Sequence, residues 1–462
     1  MIMKNPEFVR NLWLRISPVR LIAAVGVLAV VVAVVLVSVS APNDPWEFLI
    51  NLADTALLVA LLIWGGATAS ATVRDELRGN TWNQQRMSGL SPWQLTWGKL
   101  FGGTAYVWWI AFWLILLWGI ASFAVNKSAG LVMHIATWIA AAIGVHALAM
   151  IAALGFRSAD GSRVQETSTV AWALPLIVLS QVFGSLLRDS ETSILWYGRD
   201  FSPASIGLLL ALPFMLWAVI GAYRSIREEM QEAMMPWALP ACLFTFGFLL
   251  GGFGAEGASG SLVLRGLVFS LLLTTLLTWL TYLAEPHSFS SLRDGLSEIR
   301  AGRTRVAMQQ ISSSTTLLLF LLVLAALCVV LTVTMQATPY QGGRDSLVGA
   351  IAEAAPWIYL WLMIVAIRDF LVAHVLQRIG KTSRRAMGAF VVYLGIMYVA
   401  VPLALGGVLG QHAVKWWLPM SSENEVSGAA GLVGPLLTLG VVIALCIRFF
   451  GRRDDVQTPT EH

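Results

Sequence analysis

Leu21–Ser40 reads LIAAVGVLAVVVAVVLVSVS, an uncharged run bounded by Arg20 on one side and by Ala41-Pro42-Asn43-Asp44 on the other. A helix rises about 1.5 Å per residue, so about twenty apolar residues cross the hydrocarbon core of a bilayer. Lys4, Arg10, Arg15 and Arg20 stand before the run, which gives it a superficial likeness to a secretory leader. The apolar core of a leader is only about 7–15 residues. The run therefore reads as a span that stays in the chain.

The same pattern recurs. Apolar runs lie at Leu49–Thr72, Gly102–Val125, Leu131–Phe156, Ser168–Leu187 and Ser205–Tyr223, then at Pro236–Phe253, Leu262–Ala284, Thr315–Met335, Trp357–Leu376, Met387–Leu409 and Ala430–Ile447. The chain is expected to be an all-α polytopic integral membrane protein with about twelve transmembrane helices. Composition agrees: 57% of residues are hydrophobic, only 12% are charged, and the mean hydropathy is +0.73. A soluble chain of this length needs more surface charge. Many of the 20 Trp residues fall near the ends of the runs, where indole rings suit the headgroup layer.

Charge sets the expected orientation. With the N-terminus inside, 24 of the 30 Lys and Arg residues fall on the cytoplasmic side, the others being Lys127, Arg188, Arg199, Arg265, Arg344 and Lys415. Positive residues concentrate in cytoplasmic loops, so both termini are expected there. The net charge of +4 is explained by this bias and does not imply nucleic-acid binding. Cys242, Cys328 and Cys446 lie inside apolar runs with no ligand spacing, which points away from a metal site or a disulfide framework. No His/Cys/Asp/Glu cluster or nucleophile–base pair is visible, so an enzyme is not expected. Gly380-Lys381-Thr382 is the nearest approach to a P-loop, but Val375 stands where the first Gly is required.

The longest polar stretches are Val73–Phe101 and Glu285–Ser314. The first contains Glu76, Arg78, Gly79, Asn80, Thr81, Trp82, Asn83, Gln84, Gln85 and Arg86, followed by Ser91, Pro92, Trp93, Gly98 and Lys99. Gly79 permits a helix to stop, and Asn80 or Thr81 can cap a short new one. Ser91 can cap a further helix with Pro92 at its first position, where a missing N–H costs nothing. This segment resembles the first cytoplasmic loop of type-2 ABC exporter permeases, whose usual form is an acidic residue, a Gly-Thr step, then SPLS-x-W-[EQ]-x-x-x-G-K. Glu76, Gly79, Thr81, Ser88, Leu90, Ser91, Trp93, Gly98 and Lys99 stand at matching positions, whereas Asn80 interrupts the Gly-Thr step. The resemblance implies that the short helix is a coupling helix docking on a separate ATP-binding cassette ATPase subunit, which would bind the ATP and magnesium. The implied contact residues are Glu76, Arg78, Gly79, Thr81, Gln84, Gln85, Arg86, Ser91 and Pro92. It also implies an exporter in the plasma (inner) membrane of a bacterium.

Internal echoes suggest two fused six-span halves. Residues 1–20 contain an amphipathic helix, with Phe8, Leu12 and Ile16 at four-residue spacing, and residues 224–235 repeat it with Ile226, Met230 and Met234. The halves are then 21–223 with coupling loop 73–101, and 236–447 with loop 285–314, leaving 448–462 as a cytoplasmic tail. In the second loop Arg293, Asp294, Glu298 and Arg300 are the coupling candidates, although no Ser-Pro-Trp or Gly-Lys step appears there.

Among residues inside the spans, Arg368 and Asp369 either pair locally, line a substrate path, or sit near the inner interface with Arg368 snorkelling. Snorkelling also accounts for Arg265, and Gln181 suits a helix–helix hydrogen bond. His134 and His146 stand too far apart along one helix to share a metal. The alternative function is an ion-coupled secondary transporter, for which Asp369 and Asp54 are the acids to test; a membrane-embedded enzyme is a third class. The spans, rich in Trp and free of a charged cavity, favour an amphipathic or lipid-like substrate over an ion.

Overall fold

The computed structural model describes residues 5–39, 44–79, 81–126, 130–155, 193–232, 234, 236–253, 262–284, 289–334, 357–379, 383–409, 414, 416–417 and 428–451. Asn80, Gln181 with the whole expected span Ser168–Leu187, and Gly380-Lys381-Thr382 lie outside them. So do the side chains of Arg86 and Arg293.

The described chain is almost entirely helical. It divides into two compact units, one of residues 1–194 and 200–234, the other of residues 195–199 and 235–462. Among the described residues, ten helices are long and apolar enough to cross a membrane, as in a polytopic membrane protein. An eleventh expected span, Pro236–Phe253, appears as the shorter helix Ala238–Gly251.

In the first unit, α1 (Pro6–Arg15) precedes α2 (Pro18–Ser38). Helix α3 (Pro45–Leu57) continues through a π-helical segment, Leu58–Trp64, into α4 (Gly65–Arg78). Two short helices follow, α5 (Trp82–Met87) and α6 (Pro92–Trp97), then a second π segment, Gly98–Gly102, leads into α7 (Ala105–Ala124). Helices α8 (Leu131–Gly155) and α9 (Pro203–Glu229) come next; between them along the chain runs a hairpin of β1 (Ile194–Trp196) and β2 (Arg199–Phe201), whose residues 195–199 belong to the second unit. Residues 224–229, expected to begin a separate amphipathic helix, simply prolong α9.

Several helix starts share one local cause. Asn5, Ser17, Asp44, Ser91 and Ser202 each accept a backbone N–H with their side chain, and a Pro follows at the first helical turn. Packing in this unit centres on α8, whose buried face is rich in small residues: Ala140, Ala141, Ala142, Gly144, Ala147, Ala149 and Ala153. A Cβ at Gly144 would stand 2.5 Å from the Phe214 ring of α9, so the two helices approach as closely as small residues permit. By contrast α2 exposes Val27, Val30, Val34 and Val37. Such a surface is costly in water and costs nothing against acyl chains.

The second unit contains α10 (Ala238–Gly251), α11 (Leu262–Ala284), α12 (Phe289–Arg300), α13 (Thr304–Gln310), α14 (Ser313–Thr334) and α15 (Trp357–Ile379). Helix α16 (Ser383–Gly395) passes through a π segment, Ile396–Ala400, into α17 (Val401–Leu409), and a 3-10 turn, Gly428–Leu432, opens α18 (Val433–Gly451). Its core joins Leu267, Leu271 and Tyr282 of α11 to Leu321 and Leu324 of α14 and to Tyr359 and Phe370 of α15.

Candidate functional site

The loop between α4 and α7 is braced from inside by a four-charge cluster. Lys99, in the π segment, has no exposed surface; its Nζ lies 3.0 Å from Glu7 Oε1 and also contacts Glu76 Oε2. Arg10 Nη2 reaches Glu7 Oε1 at 3.0 Å and contacts Glu76 Oε1. Asn11 Nδ2 adds a third donor to Glu7 Oε1 at 2.9 Å. Two acids thus meet two bases, and the low dielectric is occupied by a charge-neutral, hydrogen-bonded group, the condition under which buried ions persist.

This cluster fixes α1 against the loop. Helix α1 turns Glu7 and Asn11 inward and leaves Trp13 and Leu14 exposed. Gly98 and Gly102 make the seat: a Cβ at Gly98 would meet Glu7 Cγ at 2.5 Å, and one at Gly102 would meet Asn11 Cβ at 2.9 Å. Asn5 Nδ2 closes the contact by donating to the Gln94 carbonyl at 2.7 Å.

From this base the short helix α5 projects. Helix α4 ends at Gly79, whose N–H donates to the Asp75 carbonyl at 2.9 Å. Thr81, expected as a possible cap of α5, instead turns its hydroxyl back to the Glu76 carbonyl at 3.3 Å. Gln84, Met87 and Ser88 are exposed, whereas Gln85 is buried with neither amide atom paired among the described residues. Gly89 follows with φ +69°, a conformation that favours glycine. Ser91 and Gln94 then form a complete capping box, and Pro92 is buried at the start of α6. Trp93 packs edge-on against Tyr223 of α9 at 5.5 Å, and Trp97 stacks on Phe101 at 4.7 Å.

Of the expected contact residues whose side chains are described, Thr81 is half-buried and the others fall into two groups. Arg78, Gly79, Gln84 and Ser91 are exposed. Glu76, Gln85 and Pro92 are buried, and Glu76 spends both oxygens inside the unit. Sequence reading missed Glu7 and Arg10 altogether; the signal was a charged stripe on a helix whose apolar stripe drew the attention. In the second loop Asp294 and Arg300 are exposed, and Glu298 pairs with Arg303, Nε to Oε2 at 2.6 Å.

Arg368, Asp369, Arg265, His146, His134 and Asp54, all inside the spans, each have a hydrogen-bond partner. Arg368 is 1% exposed at the middle of α15 and does not snorkel. Its Nε and Nη2 lie 3.0 and 2.9 Å from Asp369 Oδ1, and its guanidinium stands over the Tyr393 and Tyr398 rings at 5.8 and 5.5 Å. Asp369 also accepts from Tyr393 at 2.7 Å, Trp279 at 3.0 Å, and Tyr398. With both oxygens so occupied, Asp369 is a structural tie between helices. Arg265 is 6% exposed and donates to the Phe253 carbonyl at 3.3 Å, so it is held inside its unit as well. In the first unit His146 Nε2 donates at 2.8 Å to the Leu61 carbonyl, which lies in the π segment. His134 meets Asp54 at 2.9 Å. Comparison with known families, curated proteins and solved structures finds no match to this chain.

Proposed function

We propose that the chain is the membrane-spanning permease subunit of an ATP-driven exporter of the type-2 ABC class, in a bacterial plasma membrane with both termini cytoplasmic. A separate ATPase subunit supplies the hydrolysis. The observation that carries this reading is the braced loop. A six-residue helix with exposed Gln84 and Met87 projects from a base in which α1, α4 and the start of α7 are locked by Glu7, Arg10, Glu76 and Lys99. Force applied at α5 passes to three helices at once, which a coupling element requires. The loop motif that resembles such permeases lies on this same segment. Division of the chain near residues 234–235 supports two fused half-permeases of six spans each, and the apolar spans suit an amphipathic or lipid-like substrate.

Capture of the tagged full-length protein in mild detergent, with mass spectrometry of its partners, tests the reading. An ATP-binding cassette subunit is expected in the wild-type capture. It should fall about tenfold with Gln84→Ala/Met87→Ala, the effect of removing an interface contribution of about 1.4 kcal/mol. These residues are exposed, so the melting temperature stays unchanged. If no ATPase is recovered under conditions that retain other complexes, the exporter reading fails.

A further inference from the structure

Helix α2 is tied to α7 at its first turns. The Tyr106 hydroxyl donates to the Arg20 carbonyl at 3.4 Å, and the Trp109 indole N–H donates to the Leu21 carbonyl at 3.3 Å. Further along, Leu28 packs against the core of the unit and Val35 against Leu49 and Ala121. Beside the first ties α2 leaves a groove of about 540 Å³, walled by Pro18, Leu21, Ile22, Val25 and Gly26 on one side and by Trp109 on the other. The α2 residues recur at three- and four-residue steps, so they form one face of the helix over about 12 Å. The groove opens to the outside, where Pro18, Ile22 and Gly26 are exposed. Gly26 gives it depth: a Cβ there would meet nothing within 4 Å. Trp113 meets the Trp109 ring edge-on at 5.7 Å and steadies the opposite wall.

The lining carries no charged side chain. In a bilayer an open apolar groove left empty forgoes dispersion contacts, and an acyl chain is the group at hand to supply them. The mouth differs in kind. Arg20 stands exposed in the first turn of α2; its backbone is engaged by Ser17 and Tyr106, and its guanidinium has no partner among the described residues. Other cations of α1 and the loop base are committed: Arg15 lies 4.0 Å from Asp75, while Arg10 and Lys99 hold Glu7 and Glu76. A guanidinium offers paired N–H groups that match a phosphate, and Tyr106 and Trp109 at the same level suit the headgroup layer. A free cation above an apolar groove is complementary to a molecule with a negative head and a hydrocarbon tail. A second copy of the chain fits poorly. A face about 12 Å long and about 10 Å wide offers far less than the roughly 800 Å² per partner of a stable protein interface.

We propose that this groove binds one anionic glycerophospholipid, with an acyl chain between Gly26 and Trp109 and the phosphate on Arg20. The lipid completes the packing of α2; the site is independent of the exporter reading and survives its failure. Its test uses the full-length protein in phosphatidylcholine nanodiscs that carry a trace of a photoactivatable lipid, with a diazirine on the acyl chain. The probe is phosphatidylglycerol in one sample and phosphatidylcholine in the other, and crosslinked residues are mapped by mass spectrometry. Labelling at residues 21–26 and at Trp109 is read relative to Val34 and Val37, which are exposed further along α2. The phosphatidylglycerol probe should mark the groove about fivefold more than the phosphatidylcholine probe, the preference that one arginine gives for anionic lipid. Arg20→Gln should erase the difference between probes. Gly26→Phe, which places a ring where the groove is open, should bring groove labelling by both probes down to the reference level. Equal labelling by the two probes in the wild type means ordinary bilayer contact and overturns the proposal. An excess that persists in Gly26→Phe places the lipid elsewhere and overturns it too. The wild-type comparison needs no variant, so it decides even where Gly26→Phe fails to fold.

Discussion

Lys99 has no exposed surface, and the two carboxylates it touches come from opposite sides, Glu7 from α1 and Glu76 from the end of α4. Replacing it by Met would leave two acids facing one another with only Arg10, 44% exposed, to offset them. Breaking a buried pair costs about 3–5 kcal/mol, so Lys99→Met should lower the melting temperature in detergent sharply. Adding Glu7→Gln removes one of the stranded charges, and the double variant should be more stable than Lys99→Met alone. A double variant that loses the full sum of the two single effects would remove the cluster from this account, since contacting residues couple by about 0.5–3 kcal/mol. Glu76 and Lys99 were visible in the sequence as motif positions, and the motif suggested contact with a partner. Within the fold Glu76 pairs with Lys99 and Arg10, and Lys99 also with Glu7, long-range pairings that no local spacing encodes.

Helix α1 rests on Gly98 and Gly102, and the seat has no room for a side chain. Gly102→Val should lift α1 from the loop, with faster hydrogen exchange in α1 and a destabilisation of about 1–3 kcal/mol, the usual cost of overpacking. Gly26→Val on α2 is the matched control: a Cβ there meets nothing within 4 Å, and exchange in α1 should not change. A different mechanism governs Gly89, whose φ is +69° with open space around it. Gly89→Ala should cost about 1–2 kcal/mol through backbone strain alone, read as a lower melting temperature. Helix beginnings were legible because cap and proline are adjacent residues, as at Ser91-Pro92. The π segments were not, because that at Leu58–Trp64 exists in company with His146, whose imidazole takes the Leu61 carbonyl and fills the space beside Gly65. The spans themselves were the easiest reading, being a matter of length and hydropathy.

The two units carry loops of different construction. The first holds α5 on a cluster of four charges, three of them buried and Arg10 exposed. In the second, α12 and α13 lie side by side with Ala307 buried, the pair Glu298–Arg303 joins side chains that are 18% and 64% exposed, and Leu296, Ile299, Val306 and Met308 are exposed. An exposed ion pair contributes only about 0–1 kcal/mol, so the second loop lacks a comparable brace among the described residues. If an ATPase drives the protein, the braced loop should carry the coupling. Asp294→Ala/Arg300→Ala removes two exposed charges of the second loop and should change recovery of the ATPase less than twofold, whereas Gln84→Ala/Met87→Ala lowers it about tenfold. Equal losses from the two variants would mean that both loops dock with similar strength, and the brace would then have no bearing on coupling. An ion-driven mechanism predicts neither loss. It needs an intramembrane carboxylate with a free side; Asp369 has both oxygens engaged by Arg368, Trp279, Tyr393 and Tyr398, whereas Asp54 meets His134 and Trp138 at Oδ1 alone among the described residues. Asp369→Asn should accordingly act on stability, stranding Arg368 at a cost of about 3–5 kcal/mol, and any loss of transport should follow the loss of folded protein.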